Sequence, residues 1–74
     1  MPTKPERDIE KSIPVAEFVE KLRRLADALE SGDRFRIQVA GERVSVPAKA
    51  DLQIEHERGP AEEEIEFQLR WSND

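Results

Sequence analysis

The 74-residue chain contains no cysteine and no tyrosine, a single histidine, a single tryptophan and only three glycines. Without cysteine there are no disulfide staples, no thiolate zinc sites and no thiol chemistry. The glycines stand apart, at Gly32, Gly41 and Gly59, so no glycine-rich loop exists to cradle a phosphate. No apolar stretch approaches the roughly 18 residues that a membrane span requires. The opening Met1-Pro2-Thr3-Lys4-Pro5-Glu6-Arg7 lacks the apolar core of a signal peptide, which predicts a cytoplasmic protein that does not engage membranes. A concentrated block of positive charge is missing too, which counts against a polybasic arm for nucleic acid or lipid headgroups.

What the chain does hold is charge, 12 Lys and Arg against 17 Asp and Glu for a net of −5, with 36% hydrophobic residues. The charge is uneven: residues 1–12 balance, 13–31 sum to −1, 32–50 to +2 and 51–74 to −6. The apolar residues are periodic instead of scattered, which argues for a folded domain despite the high charge. The length allows one domain only. Residues 1–8, with two prolines and nothing to bury, read as a flexible tail, and 9–74 as the domain. A short extra strand over 9–12 rests on Ile9 alone.

From Pro14 to Ser31 the apolar side chains Val15, Phe18, Val19, Leu22, Leu25, Ala26 and Leu29 follow helical spacing. At about 100° per residue they cover an arc of about 120°, the stripe of a one-sided helix. Glu17 with Lys21 and Glu20 with Arg24 are acid-then-base pairs at i, i+4 on the remaining arc. Ser12 is the natural N-cap and Gly32 the left-handed stop, although Pro14 discourages helical geometry at Ile13 and allows a later start.

After Gly32 the period becomes two. Phe35, Ile37 and Val39 alternate with Arg34, Arg36 and Gln38; Ala40-Gly41-Glu42 offers a turn; Val44 and Val46 continue to Pro47, which lacks a ladder donor. Leu52 and Ile54 alternate with Gln53 and Glu55, Gly59-Pro60 turns the chain, and Ile65, Phe67, Leu69 and Trp71 alternate with Glu64, Glu66, Gln68 and Arg70. Short connections call for antiparallel neighbours. The expected fold is therefore α+β: one amphipathic helix covering one face of a four-stranded antiparallel meander. On the other face the Arg34 and Arg36 strand is expected to pair ionically with the Glu-rich later strands.

Chemistry is sparse. His56 lies between Glu55 and Glu57, but strand neighbours alternate faces, so the carboxylates point away from the imidazole and His56 falls toward the frayed end of the inner face or at the helix margin. A zinc ion takes three or four protein ligands. The Glu62-Glu63-Glu64 run reads as a solvated turn. None of Ser12, Ser31, Ser45 and Ser72 sits in a nucleophile-elbow motif or beside the histidine. The expectation is a non-enzymatic protein with no catalytic residues, no metal and no cofactor.

Two binding features remain. Arg34, Arg36 and Arg43 share the positive segment and one strand phase, a candidate contact for a partner or nucleic acid. Single-strand binders set aromatics beside such arginines, whereas Phe35 lies in the opposite phase, so cross-sheet ion pairing is the blander expectation and nucleic acid the weaker one. Trp71 is in the inner phase of the last strand: a core indole by alternation, or a partner-facing anchor, since tryptophan is enriched at interface hot spots.

The ordered set Ser12; Leu22, Leu25-Ala26-Asp27, Leu29-Glu30, Gly32; Gly41-Glu42, Val44, Val46-Pro47; Leu52, Ile54-Glu55, Glu57; and Glu64, Ile65-Glu66, Leu69, Trp71 resembles the amphi-Trp domain, a short prokaryotic family. It spans about residues 10–71, with departures at Ile13-Pro14 and His56. The resemblance brings no catalytic or cofactor-binding residue with it. Residues and resemblance together lead to a small interaction module that binds a protein partner or itself through a sheet edge or its exposed ionic face, with nucleic-acid binding through Arg34, Arg36 and Arg43 as the alternative.

Overall fold

A computed structural model describes residues 11–73. The tail expected over 1–8, and the first half of the strand expected over 9–12, lie outside the described residues; Lys11 and Ser12 are not in a strand. The elements in order are α1 (Val15–Ser31), β1 (Phe35–Val39), β2 (Glu42–Val46), β3 (Asp51–Arg58) and β4 (Glu63–Arg70).

The helix starts later than a Ser12 cap would place it. Pro14 holds the N-cap position with φ −65° and ψ 156°, no side chain caps the helix, and the Pro14 carbonyl accepts the Phe18 N–H at 3.0 Å. A Ser12 cap would require helical geometry at Ile13, which the ring of Pro14 obstructs. At the other end Gly32 adopts φ 70°; its N–H donates to the Leu29 carbonyl at 3.2 Å, and that of Asp33 to Ala28 at 2.9 Å. This is a Schellman stop, and it depends on the left-handed residue that glycine supplies without strain. Both expected pairs form on the exposed arc, Lys21 to Glu17 at 3.9 Å and Arg24 to Glu20 at 4.0 Å.

The α+β class is as the sequence indicates, but the strands pair as two separate hairpins instead of one continuous four-stranded sheet. In the first, Phe35 faces Val46, Ile37 faces Val44 and Val39 faces Glu42. Its loop is two residues long, with Ala40 at φ 49° and Gly41 at φ 84°. Positive φ at both positions is the type I′ geometry, whose twist matches that of the strands it joins. In the second hairpin Leu52 faces Leu69, Ile54 faces Phe67 and His56 faces Ile65. The Gly59 N–H closes its loop onto the Glu62 carbonyl at 2.8 Å.

The break lies between β2 and β3. Pro47 brings no N–H to a ladder, and the Ala50 N–H turns back to the Pro47 carbonyl at 3.2 Å. That turn sends β3 away from β2, so the expected ion pairs between the arginine strand and the glutamate strands do not form across a common sheet.

The helix packs against β1. The buried apolar side chains among the described residues are Phe35 and Val46, ladder partners at 6% exposure each. Above them the Arg24 guanidinium lies 5.3 Å from the centre of the Phe35 ring, and its Nη1 donates to the Arg36 carbonyl at 3.2 Å. A helix is about 10–12 Å wide and strands are about 4.8 Å apart, so one helix covers about two strands. The cover expected over the whole apolar face therefore reaches only the first hairpin.

Candidate protein-docking groove

The uncovered apolar surface is continuous. An open groove of about 540 Å3 runs between the helix stripe at Phe18, Leu22 and Leu25, the β1–β2 face at Phe35 and Val46, and β4 from Ile65 to Leu69, where Glu66 and Gln68 join the apolar residues in lining it. A neighbouring apolar recess joins Leu25 and Leu29 to Leu52, Ile54 and Phe67. Each side chain is there for a local reason. The helical period sets four apolar positions along one stripe, and strand alternation sets the apolar residues of β3 and β4 on one face of their ribbon. Yet Phe18, Leu52, Ile54, Ile65 and Phe67 all remain more than half exposed. Scattered exposed apolar residues are ordinary, whereas a contiguous apolar surface marks an interaction site.

Elsewhere on the first hairpin the sequence-derived arginines are only partly gathered. Arg36 and Arg43 lie diagonally across the ladder and line a shallow cavity of about 610 Å3, together with Lys21 and Arg24 from the helix. Arg34 precedes β1 and donates from Nη1 to Ser45 Oγ at 3.0 Å, a hydroxyl partner where a carboxylate was expected. Trp71 follows the end of β4 on the other hairpin, does not line this cavity, and is 37% exposed. It is not the closed core indole that alternation suggests, because the surface it would pack on is uncovered.

The second hairpin carries the acidic face. Glu55 stands opposite Glu66, and Glu57 opposite Glu64. Like charges directly opposite repel, and Gln68 eases the first pair by donating from Nε2 to Glu55 Oε1 at 2.9 Å and to Glu66 Oε1 at 3.0 Å. On the inner face near the loop, Glu63 Oε2 lies 2.7 Å from His56 Nε2 and accepts from Arg58 Nε at 3.1 Å and Nη2 at 3.0 Å. Glu63 thus belongs to β4 and joins the His56 imidazole and the Arg58 guanidinium on one carboxylate oxygen, which its place in an acidic run concealed. The register sets Glu55 and Glu57 on the face opposite His56, so these three residues do not share a site. Among the described residues no group of three or more His, Asp or Glu is placed to hold a metal ion, and no helix is long and apolar enough to cross a membrane.

Sequence reasoning missed two things: the openness of the groove, and the contribution of Lys21 and Arg24 to the basic cavity. The second had a signal, since positions 21 and 24 are one turn apart on the helix. The first had none in periodicity. Among known families, the model of the Amphi-Trp domain matches residues 1–74, the whole chain. No curated protein and no solved structure matches it.

Proposed function

The chain belongs to the Amphi-Trp domain family, and we propose that it is a non-enzymatic binding module that works through its apolar groove, engaging another polypeptide surface. The observation that carries this reading is the continuity of uncovered apolar side chains from Leu22 on the helix to Ile54 and Phe67 on the second hairpin. A surface of that kind gains its free energy by burial, at about 25 cal/mol per Å2 of apolar area removed from water. Acid–base or nucleophilic chemistry needs a walled site with a positioned base; the only imidazole is bound to Glu63 on an open hairpin face. The test is a photo-crosslinking side chain at position 67. The expected result is a crosslinked polypeptide, reduced by Leu22→Glu. A folded protein that gives no crosslink and binds no hydrophobic dye overturns the reading.

One observation favours a second reading. Lys21, Arg24, Arg36 and Arg43 converge on one cavity, which suits a polyanion such as single-stranded nucleic acid. The aromatic that would stack a base is Phe35, and it is buried. Fluorescence anisotropy with a labelled oligonucleotide tests it: this reading requires salt-sensitive binding lost in an Arg36→Ala, Arg43→Ala double variant. No binding at low salt overturns it.

A further inference from the structure

We infer that the cavity lined by Lys21, Arg24, Arg36 and Arg43 is a binding site for a short inorganic phosphate chain of the triphosphate class, held through its phosphate oxygens alone. The inference rests on the second reading above, that this cavity takes a polyanion, and names the ligand class.

The first observation is an uncompensated gathering of charge. The chain carries 17 acidic residues against 12 basic ones. Yet the described residues that line this cavity, drawn from α1, β1 and β2, include four cations and no carboxylate. Arg58 has Glu63 as its counter-ion, whereas neither Arg36 nor Arg43 forms an ion pair among the described residues. Lys21 and Arg24 approach Glu17 and Glu20 only to 3.9 and 4.0 Å, beyond hydrogen-bond reach. Like charges gathered without a counter-charge repel one another and oppose the compact state. An anion seated among them removes that repulsion.

The second is geometry. The ladder register sets Arg36 opposite Ser45 and Gln38 opposite Arg43, so these four residues stand on one face of the hairpin. The two arginines are diagonal neighbours, about 7–8 Å apart. Each guanidinium is a planar fork that matches two phosphate oxygens, and two forks at that separation engage successive phosphates of one chain. Lys21 and Arg24, one turn apart on α1, bring two further cations from the helix. Arg24 is already fixed: its Nη1 donates to the Arg36 carbonyl at 3.2 Å and its guanidinium lies over the Phe35 ring. Less side-chain freedom is therefore lost when it meets a ligand. Ser45 Oγ accepts from Arg34 Nη1 at 3.0 Å, which leaves the hydroxyl proton to donate to an anion. Arg34 thereby acts as a positioning residue.

The third is the surrounding field and the absence of a platform for a base. Taking these four positive charges from a net of −5 leaves −9 on the rest of the chain. A long polyanion would have to cross that field, whereas a short one stays among the cations. The volume of about 610 Å3 lies in the range of small-molecule sites. Among the described residues no aromatic side chain lines it, so nothing stacks on a base and the phosphates themselves are read.

The experiment uses the full-length chain in magnesium-free buffer at low salt. Inorganic triphosphate, orthophosphate, adenosine triphosphate and a single-stranded oligonucleotide are compared by titration calorimetry and thermal melts. The expected result is one triphosphate per chain, bound at least about tenfold tighter than orthophosphate, with a raised Tm and an affinity that falls as salt is added. Adenosine triphosphate binds no tighter than the inorganic chain. Both arginines are exposed, and their replacement is checked for folding by circular dichroism. The Arg36→Ala, Arg43→Ala double variant loses at least about tenfold in affinity, the loss of hydrogen bonds to a charged group. The Arg36→Lys, Arg43→Lys variant, which keeps the charge without the fork, recovers part of it. Arg58→Ala binds as the wild type does. Amide shifts of the labelled wild type at Gln38, Arg43 and Ser45 locate the site even where a variant unfolds; shifts confined to other residues overturn it. Orthophosphate as tight as triphosphate overturns the chain ligand, and adenosine triphosphate tenfold tighter than the inorganic chain overturns recognition by phosphates alone. A loss in Arg58→Ala equal to that in the double variant refers the effect to net charge and overturns the cavity. Oligonucleotide binding without triphosphate binding overturns the ligand class and leaves the second reading standing. Binding of neither overturns both.

Discussion

Ile54 stands directly across the β3–β4 ladder from Phe67, and both side chains are open to water, at 68% and 65% exposure. Cross-strand pairs of this type, β-branched against aromatic, couple by roughly 0.2–1 kcal/mol. A double-mutant cycle with Ile54→Ala and Phe67→Ala, read by urea denaturation, is expected to give a coupling of about 0.5–1 kcal/mol. Strict additivity would refute the register that makes them neighbours.

Phe35 and Val46 are the opposite case, a ladder pair closed beneath the helix and the Arg24 side chain. Phe35→Ala removes most of the enclosed ring and leaves a cavity, at a cost of about 3–5 kcal/mol. A single core of this size supplies about that much in total. The expected outcome is loss of cooperative unfolding by circular dichroism at room temperature. A variant with an unchanged denaturation midpoint would mean that the helix–β1 contact does not hold the domain together.

Backbone strain in the first hairpin sits at one residue: Ala40, at φ 49°, occupies a left-handed position of the type I′ turn that Asn or Gly takes more readily. Ala40→Asn is expected to raise stability by about 0.5–1 kcal/mol, within the cost of roughly 1–2 kcal/mol for a left-handed L-residue. Ala40→Val, branched at Cβ, is expected to lower it. Chemical denaturation of the two variants checks the sign, and a destabilising Asn would contradict the turn geometry.

Gln68 holds its carboxamide between Glu55 and Glu66. Gln68→Glu removes both donations and sets a third carboxylate beside this pair, on a face that also carries Glu57 and Glu64. Stability is expected to fall by about 1 kcal/mol at low ionic strength, a modest figure because the groups face water. In 1 M salt, where the Debye length is about 3 Å, most of the loss should be recovered. A loss independent of salt would point to packing instead of charge.

The elements themselves were legible because each is written as a period. The switch from 3.6 to two after Gly32, and the alternation through Ile65, Phe67 and Leu69, define helix, strands and faces. Gly32 and Gly41 mark their turns because each supplies a positive φ. The relation between the hairpins was not legible, since alternation is identical whether β2 and β3 pair or splay apart. Pro47 was visible as a strand end, but the turn closed by Ala50 is a matter of backbone direction. The same limit applies to the candidate site. The phase of Arg36 and Arg43 follows from alternation, whereas the helix residues that join them, and the exposure of Trp71, depend on how far one helix reaches.

Trp71 gives a readout of how well the end of the second hairpin is packed. It continues the phase of Ile65, Phe67 and Leu69 one residue beyond β4, and at 37% exposure it is neither enclosed nor free. Its emission, unmixed with that of any tyrosine, is therefore expected to lie between that of an enclosed indole and that of free tryptophan, with partial quenching by iodide or acrylamide. In urea the emission should move to the red and quench fully as the hairpin opens, because the remaining cover on the ring is lost with the fold. A native emission already at the position of free tryptophan, unchanged by urea, would mean that the end of β4 does not pack on the rest of the domain.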